Sequence, residues 1–186
     1  MKKVDITDLC AYARQFSGLN DEKITLLQDT HEKILPKIPA ITDAFYFHLS
    51  EIPKTKVFLE GRMESLKKAH QEWIEELFTS DYDEVYTQKM YHVGDVHVKV
   101  QLPVEFMSGA MTIIQGELVS AFGELYPDEP ERLLQLGLAS NAAIGYSTLV
   151  MQESYQSSTL ARELENFLSI TGMSRQLFDN LARAYK

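Results

Sequence analysis

The sequence predicts an all-α protein, and three observations carry that reading. Apolar residues recur at alternating steps of three and four along most of the chain. No stretch alternates apolar and polar residues as a half-buried strand would. The prolines stand where helical stripes begin or end, never inside one. The chain's 186 residues suit one domain with short extensions, and they hold no repeat or low-complexity segment.

Residues 4–16 form a short leading helix with Leu9, Ala13 and Phe16 on one face, broken by Ser17-Gly18-Leu19-Asn20. Asn20 opens a second helix running to about Leu35. Pro36 and Pro39 end it and start a third, because proline fits a first turn but not an interior. The stripe of that third helix is Ile38, Ile41, Phe45, His48 or Leu49, and Ile52, and Pro53 closes it. Lys54 to Glu60 reads as a short turn carrying Val57, Phe58 and Leu59. The next helix, 62–79, shows Met63, Leu66, His70, Trp73 and Leu77 on one face. Ser80-Asp81 offers cap chemistry for a helix over 82–98, whose face is Tyr86, Met90, Val93 and His97. Pro103 stands in the first turn of a long helix reaching Tyr126, with Val104, Met107, Met111, Ile114, Leu118, Ala121 and Leu125 in sustained alternation.

Pro127-Asp128-Glu129-Pro130 then turns into another long helix, from about Glu131 into the 150s or beyond, so the two pack as an antiparallel hairpin. Its apolar surface is broad: Gly137, Ala139, Ala142, Ala143 and Gly145 mix with Leu136, Leu138, Ile144 and Leu149. Small residues permit close helix approach, and the excess apolar area predicts packing on two sides, the second against another copy of the chain. Thr171-Gly172 interrupts before a last amphipathic piece, Ser174 to Tyr185. The expected organisation is an N-terminal extension helix over 1–18, a domain over 19–165, and a helical extension or linker over 166–186.

Composition narrows the function classes. A net charge of −9 argues against a nucleic-acid or anionic-membrane surface, both of which need a basic patch. No apolar run reaches the ~18 residues of a membrane span, and the start lacks the apolar stretch of a signal peptide. The single cysteine, Cys10, excludes an internal disulfide and fits the cytoplasm. The absence of Gly-rich phosphate loops and of CxxC, HExxH and GxSxG patterns points to a binding domain rather than an enzyme.

Of the five histidines, His31, His48, His70, His92 and His97, no two show the i, i+4 spacing of a helical zinc pair. His92 and His97 diverge by about 140° around a helix. His97 therefore stands alone near the end of an apolar face, which suits a core histidine as well as a ligand. A flat cofactor held by one imidazole would also need an apolar slot with aromatic walls. Phe45, Tyr46, Phe58, Leu66, Met107 and Met111 are candidates for that slot, and equally for plain core.

Read together, three runs resemble the globin domain of globin-coupled sensors and protoglobins. They are Phe45-Tyr46-Phe47-His48-Leu49 with Phe58-Leu59, Leu66 through Trp73, and Val93-Gly94-Asp95-Val96-His97-Val98-Lys99-Val100-Gln101-Leu102-Pro103 followed by Met107 to Met111. The resemblance covers roughly residues 20–160, and the run from His97 into Leu102-Pro103 is its most specific part. It implies a three-over-three globin fold with an extra N-terminal helix and two long final helices. It further implies that His97 is the proximal ligand of haem b iron (iron protoporphyrin IX). Tyr46 would be the distal donor to O₂, and Leu66 would control water access beside it. Phe45, Phe58, Met90, Val93, Met107 and Met111 would lie against the haem. Other gas ligands would be CO and NO, and the family dimerises through its last two long helices to signal to an output module.

Two positions depart from the family pattern. Val100-Gln101-Leu102 replaces a run that commonly holds glycine. His70 stands one turn after Leu66, where an apolar residue is commoner, as a second distal residue, a propionate contact or a residue with no part in the site. The alternative to a gas sensor is a haem-free globin-like signalling or dimerisation module, against which His97 speaks.

Overall fold

The computed structural model describes residues 4–184, which form ten α-helices and, among the described residues, no strand. Helix α1 (Ile6–Ser17) is capped by Asp5, whose carboxylate accepts from the Thr7 and Asp8 amides. It ends at Gly18, whose φ of 67° is the left-handed conformation a helix C-terminus favours in glycine. Its buried residues are Leu9, Cys10 and Ala13, whereas Phe16, expected on that face, is 68% exposed and stacks with Tyr12 instead.

The continuous helix expected to Leu35 is divided. Helix α2 (Asp21–Gln28) is capped by Asn20, and α3 (His31–Ile34) follows after a break, continuing into a 3-10 turn over Leu35–Lys37. Thr30 causes the break: fully buried, it sends its hydroxyl back to the Leu26 carbonyl at 2.8 Å and its amide to Leu27. Pro36 has no N–H with which to continue an α-helix, so that turn tightens. Helix α4 (Ile38–Glu51) then buries Ile38, Ile41, Phe45 and Tyr46, while His48 faces solvent.

Residues expected as a turn form a further helix, α5 (Pro53–Leu59), started by Pro53 and tied to α4 by the Thr55 hydroxyl, which donates to the Leu49 and Ile52 carbonyls. Helix α6 (Met63–Glu76) stops three residues early. Tyr82 lies fully buried at φ 52° and gives its hydroxyl to the Leu77 carbonyl at 2.7 Å. The cap of α7 (Glu84–Lys99) is consequently Asp83, accepting from the Tyr86 amide, rather than Ser80 or Asp81. Helices α8 (Val104–Leu125) and α9 (Pro130–Thr171) make the long hairpin, and α10 (Arg175–Ala184) follows Gly172. Tyr185, the expected end of α10, lies outside the described residues.

Helix α9 is the spine. It packs against α7 and α8 most extensively, and also against α1 and α2. By length and composition it would qualify to cross a membrane, but half of its most apolar window is buried inside the fold. Its crossing with α7 is backbone to backbone: a Cβ built on Gly94 would lie 2.6 Å from the Met151 carbonyl oxygen. Tyr82, Tyr86 and Tyr146 stack edge on, and the Tyr86 hydroxyl accepts from Trp73 Nε1 at 3.3 Å and bonds Ser147 at 2.9 Å. Outside the body, Val104, Val119, Leu134 and Leu138 leave an apolar face of α8 and α9 exposed.

Candidate functional site

Between α4, α5, α6, α8 and the C-terminal end of α7 lies a cavity walled mainly by apolar side chains. Its volume is about 130 Å³, smaller than the ~300–1,000 Å³ typical of small-molecule and cofactor sites, so the walls must part to admit a group as large as a porphyrin. Helix α4 supplies Phe45, Tyr46 and Leu49; α5 supplies Phe58 and Leu59; α6 supplies Leu66 and His70. His97 enters from the last turn of α7, and α8 adds Phe106, Met107, Ala110, Met111 and Ile114. Few polar groups reach this space, and two of them are imidazoles.

Of the residues singled out from the sequence, Phe45, Tyr46, Phe58, Leu66, His70, His97, Met107 and Met111 all line the cavity. Met90 and Val93 do not. They share the stripe of His97 but stand two turns and one turn nearer the start of α7, where Met90 is buried in the core and Val93 packs against it. The stripe runs along the helix axis, and only its final turn meets the cavity. His92 is exposed on another face, and His31 sits apart with Nε2 3.3 Å from a Glu75 carboxylate oxygen.

Sequence reasoning missed Phe106 and Arg62. Phe106 meets Phe58 edge to face at 5.8 Å between ring centroids, and its signal was its place beside Met107 at the start of the α8 stripe. Arg62 lies at the exposed rim and gives a guanidinium N–H to the Phe58 carbonyl at 3.0 Å. No periodicity marks it, because it stands between helices.

The electrostatics follow from burial. Removal from water lowers the His97 pKa to about 4, with a smaller contribution from nearby His70, so the ring is neutral near pH 7. Its Nδ1 is buried without a hydrogen-bond partner among the described residues, a cost of about 1–3 kcal/mol for a protein with nothing to bind there. His70 is likewise held below the ordinary histidine range by burial, opposed by its bond to the Leu66 carbonyl. Burial pushes the Tyr46 hydroxyl well above its usual range, so it stays a proton donor. A neutral imidazole with an unsatisfied nitrogen, in an apolar slot with aromatic walls, is a chemically competent holder for an iron porphyrin. Among the described residues no cluster of three or more His, Cys, Asp or Glu offers a metal site of another kind.

A helical body that closes such a slot over the last turn of α7, with α8 and α9 its two longest helices, is a globin fold. The chain belongs to the protoglobin family, whose profile matches residues 7–160. The fold is similar to the globin domain of the Geobacter sulfurreducens globin-coupled sensor, with a TM-score of 0.71 and 27% identity over 78% of this chain and 96% of that one. The globin domain of the E. coli DosC, in a ferric crystal form, shares the fold at a TM-score of 0.63 and 19% identity, covering 77% of this chain and 99% of that one. No curated protein matches the sequence.

Proposed function

We propose that this chain is a haem-based gas sensor, O₂ being its principal ligand, that works as a homodimer in the cytoplasm. The observation that carries the reading is the cavity itself, which gathers a neutral, unsatisfied His97 and a buried Tyr46 donor inside apolar walls. His97 holds the iron. Phe45, Phe58, Phe106, Met107 and Met111 pack the porphyrin, and Arg62 at the rim suits its carboxylates. Met90 and Val93 act from beneath, by fixing the last turn of α7. Haem b, when bound, would supply an iron that takes a diatomic gas: O₂, CO or NO.

The chain's own residues then discriminate among gases. O₂ held at that iron would draw partial negative charge and accept a hydrogen bond more strongly than CO would. A bond of that kind contributes about 1.5–3 kcal/mol, roughly 10- to 100-fold in affinity. Tyr46 is the donor, and Leu66 shields it from water that would compete. His70, neutral through burial, belongs beside Tyr46 on the ligand side rather than with the carboxylates. The exposed apolar face of α8 and α9, with Leu134 64% and Leu138 54% accessible, suits a second copy of the chain.

One spectrum tests the reading. The purified, reduced protein should show a Soret band that shifts with O₂ or CO, and His97→Ala should lose haem. Full retention of the spectrum in His97→Ala would refute His97 as the ligand. Tyr46→Phe should speed O₂ dissociation by about 10- to 100-fold, while CO dissociation moves little. A chain that takes up no haem, yet sediments as a dimer, would instead be the globin-like dimerisation module.

A further inference from the structure

The bonds of His70 dictate which way the Tyr46 hydroxyl can point. Nδ1 of His70 lies 2.9 Å from the Leu66 carbonyl oxygen, one turn earlier in α6, and 2.8 Å from the Tyr46 hydroxyl oxygen on α4. A backbone carbonyl can only accept. Were Nδ1 the bare nitrogen, its lone pair would face the lone pairs of Leu66 at hydrogen-bonding distance with no proton between them. Nδ1 therefore carries a proton, and this holds for the neutral ring and for the imidazolium alike.

The consequence falls on Tyr46. A protonated Nδ1 has no lone pair with which to accept, so the Tyr46 oxygen accepts from His70 and cannot donate to it. Its own proton is then unspent, and among the described residues the Tyr46 hydroxyl has no other hydrogen bond. The side chain is 2% exposed and lines the cavity, so that proton has only the cavity to address. The opposite tautomer would capture the Tyr46 proton on Nδ1 and turn the same hydroxyl into an acceptor.

We propose that His70 is a positioning residue for Tyr46: held as an Nδ1–H donor by the Leu66 carbonyl, it directs the Tyr46 proton into the cavity and biases the site toward small ligands that accept a hydrogen bond. The selectivity half of this statement rests on the gas-binding reading above; the tautomer does not.

The protons can be read directly. In the ¹⁵N-labelled full chain carrying haem and CO, a diamagnetic form, long-range ¹H–¹⁵N spectra should show His70 Nδ1 as the protonated nitrogen. A bare Nδ1 would overturn the proposal. If the chain takes up no haem, the gas-binding reading fails, and the same spectrum of the chain as purified still decides the tautomer. Function supplies a second reading. His70→Gln keeps an N–H between Leu66 and Tyr46, and O₂ dissociation should stay within about threefold of the parent. His70→Leu removes it, and dissociation should accelerate by about 10-fold or more, as expected when a hydrogen bond of ~1.5 kcal/mol or more is lost. In the Tyr46→Phe background, His70→Leu should add nothing. Equal acceleration by Gln and Leu, or a full further effect without the Tyr46 hydroxyl, would show that His70 acts by another route.

Discussion

Adding one methyl group at Gly94 sets two opposed effects against each other. In an open helix interior, alanine for glycine stabilises by about 1 kcal/mol. Gly116 of α8 offers that case, since a Cβ there meets nothing within 4 Å among the described residues. At Gly94 the new Cβ would stand 2.6 Å from the Met151 carbonyl oxygen and 2.7 Å from Ser154 Cβ. The first of these is backbone of a long helix and cannot rotate away. Helices α7 and α9 must part by roughly 0.8 Å to restore the 3.4 Å of ordinary contact. Overpacking costs about 1–3 kcal/mol, and a backbone obstacle puts Gly94 at the upper end. Setting ~3 kcal/mol of strain against ~1 kcal/mol of helix propensity leaves a net loss of about 2 kcal/mol. For a chain of this size that lowers Tm by roughly 4–8 °C. Urea unfolding of Gly94→Ala and Gly116→Ala beside the parent should move the two midpoints in opposite directions at constant m. A Gly94→Ala protein as stable as the parent would refute the contact.

Two further outcomes follow from the site and its surroundings. Burial holds the His97 pKa at about 4, below the ~6.5 of a free ring. The fold thus favours the neutral, ligand-competent ring above pH ~6.5 and loses that advantage as pH falls through about 4. Haem uptake should be level from pH 8 to about 5.5 and fall with a midpoint near 4; a midpoint near 6.5 would mean a solvated ring. Tyr86→Phe strips the acceptor from Trp73 Nε1 and a partner from Ser147, which should cost about 1–3 kcal/mol in chemical denaturation. A loss under about 0.5 kcal/mol would indicate that water replaces the hydroxyl.

What the sequence made legible was periodicity and punctuation. The α8 stripe and the broad apolar surface of α9, bracketed by Pro103, Pro127 and Pro130, could be read directly because each extends over several turns. Helix α5 could not, since its seven residues hold too little of a period and mix Lys54, Thr55 and Lys56 with the apolar positions. The break at Thr30 and the left-handed backbone at Tyr82 are tertiary effects: both side chains are fully buried, and the packing of each overrides its local preference. The same division runs through the site. Tyr46, His70 and His97 stood out as residue types at helical spacing, but the bond between Tyr46 and His70 joins residues 24 positions apart. No spacing rule reaches across two helices. Met90 and Val93 show the converse: a shared stripe marks a shared face, while only its final turn opens on the cavity.

Asp95, two residues before His97, gives the crossing of α7 and α9 a mechanical meaning. Its carboxylate accepts from the Ser154 hydroxyl at 2.7 Å and from the Ser158 hydroxyl, one turn apart on α9, while the Tyr155 hydroxyl grips the Leu102 carbonyl at 3.0 Å. Past Leu160 the spine is mostly clear of the body, and it runs on as helix to Thr171. Thirteen residues beyond Ser158, at ~1.5 Å each, make an arm of about 20 Å. A tilt of about 3° at the grip swings its far end by roughly 1 Å, so the chain carries a lever whose short side is the turn that holds His97.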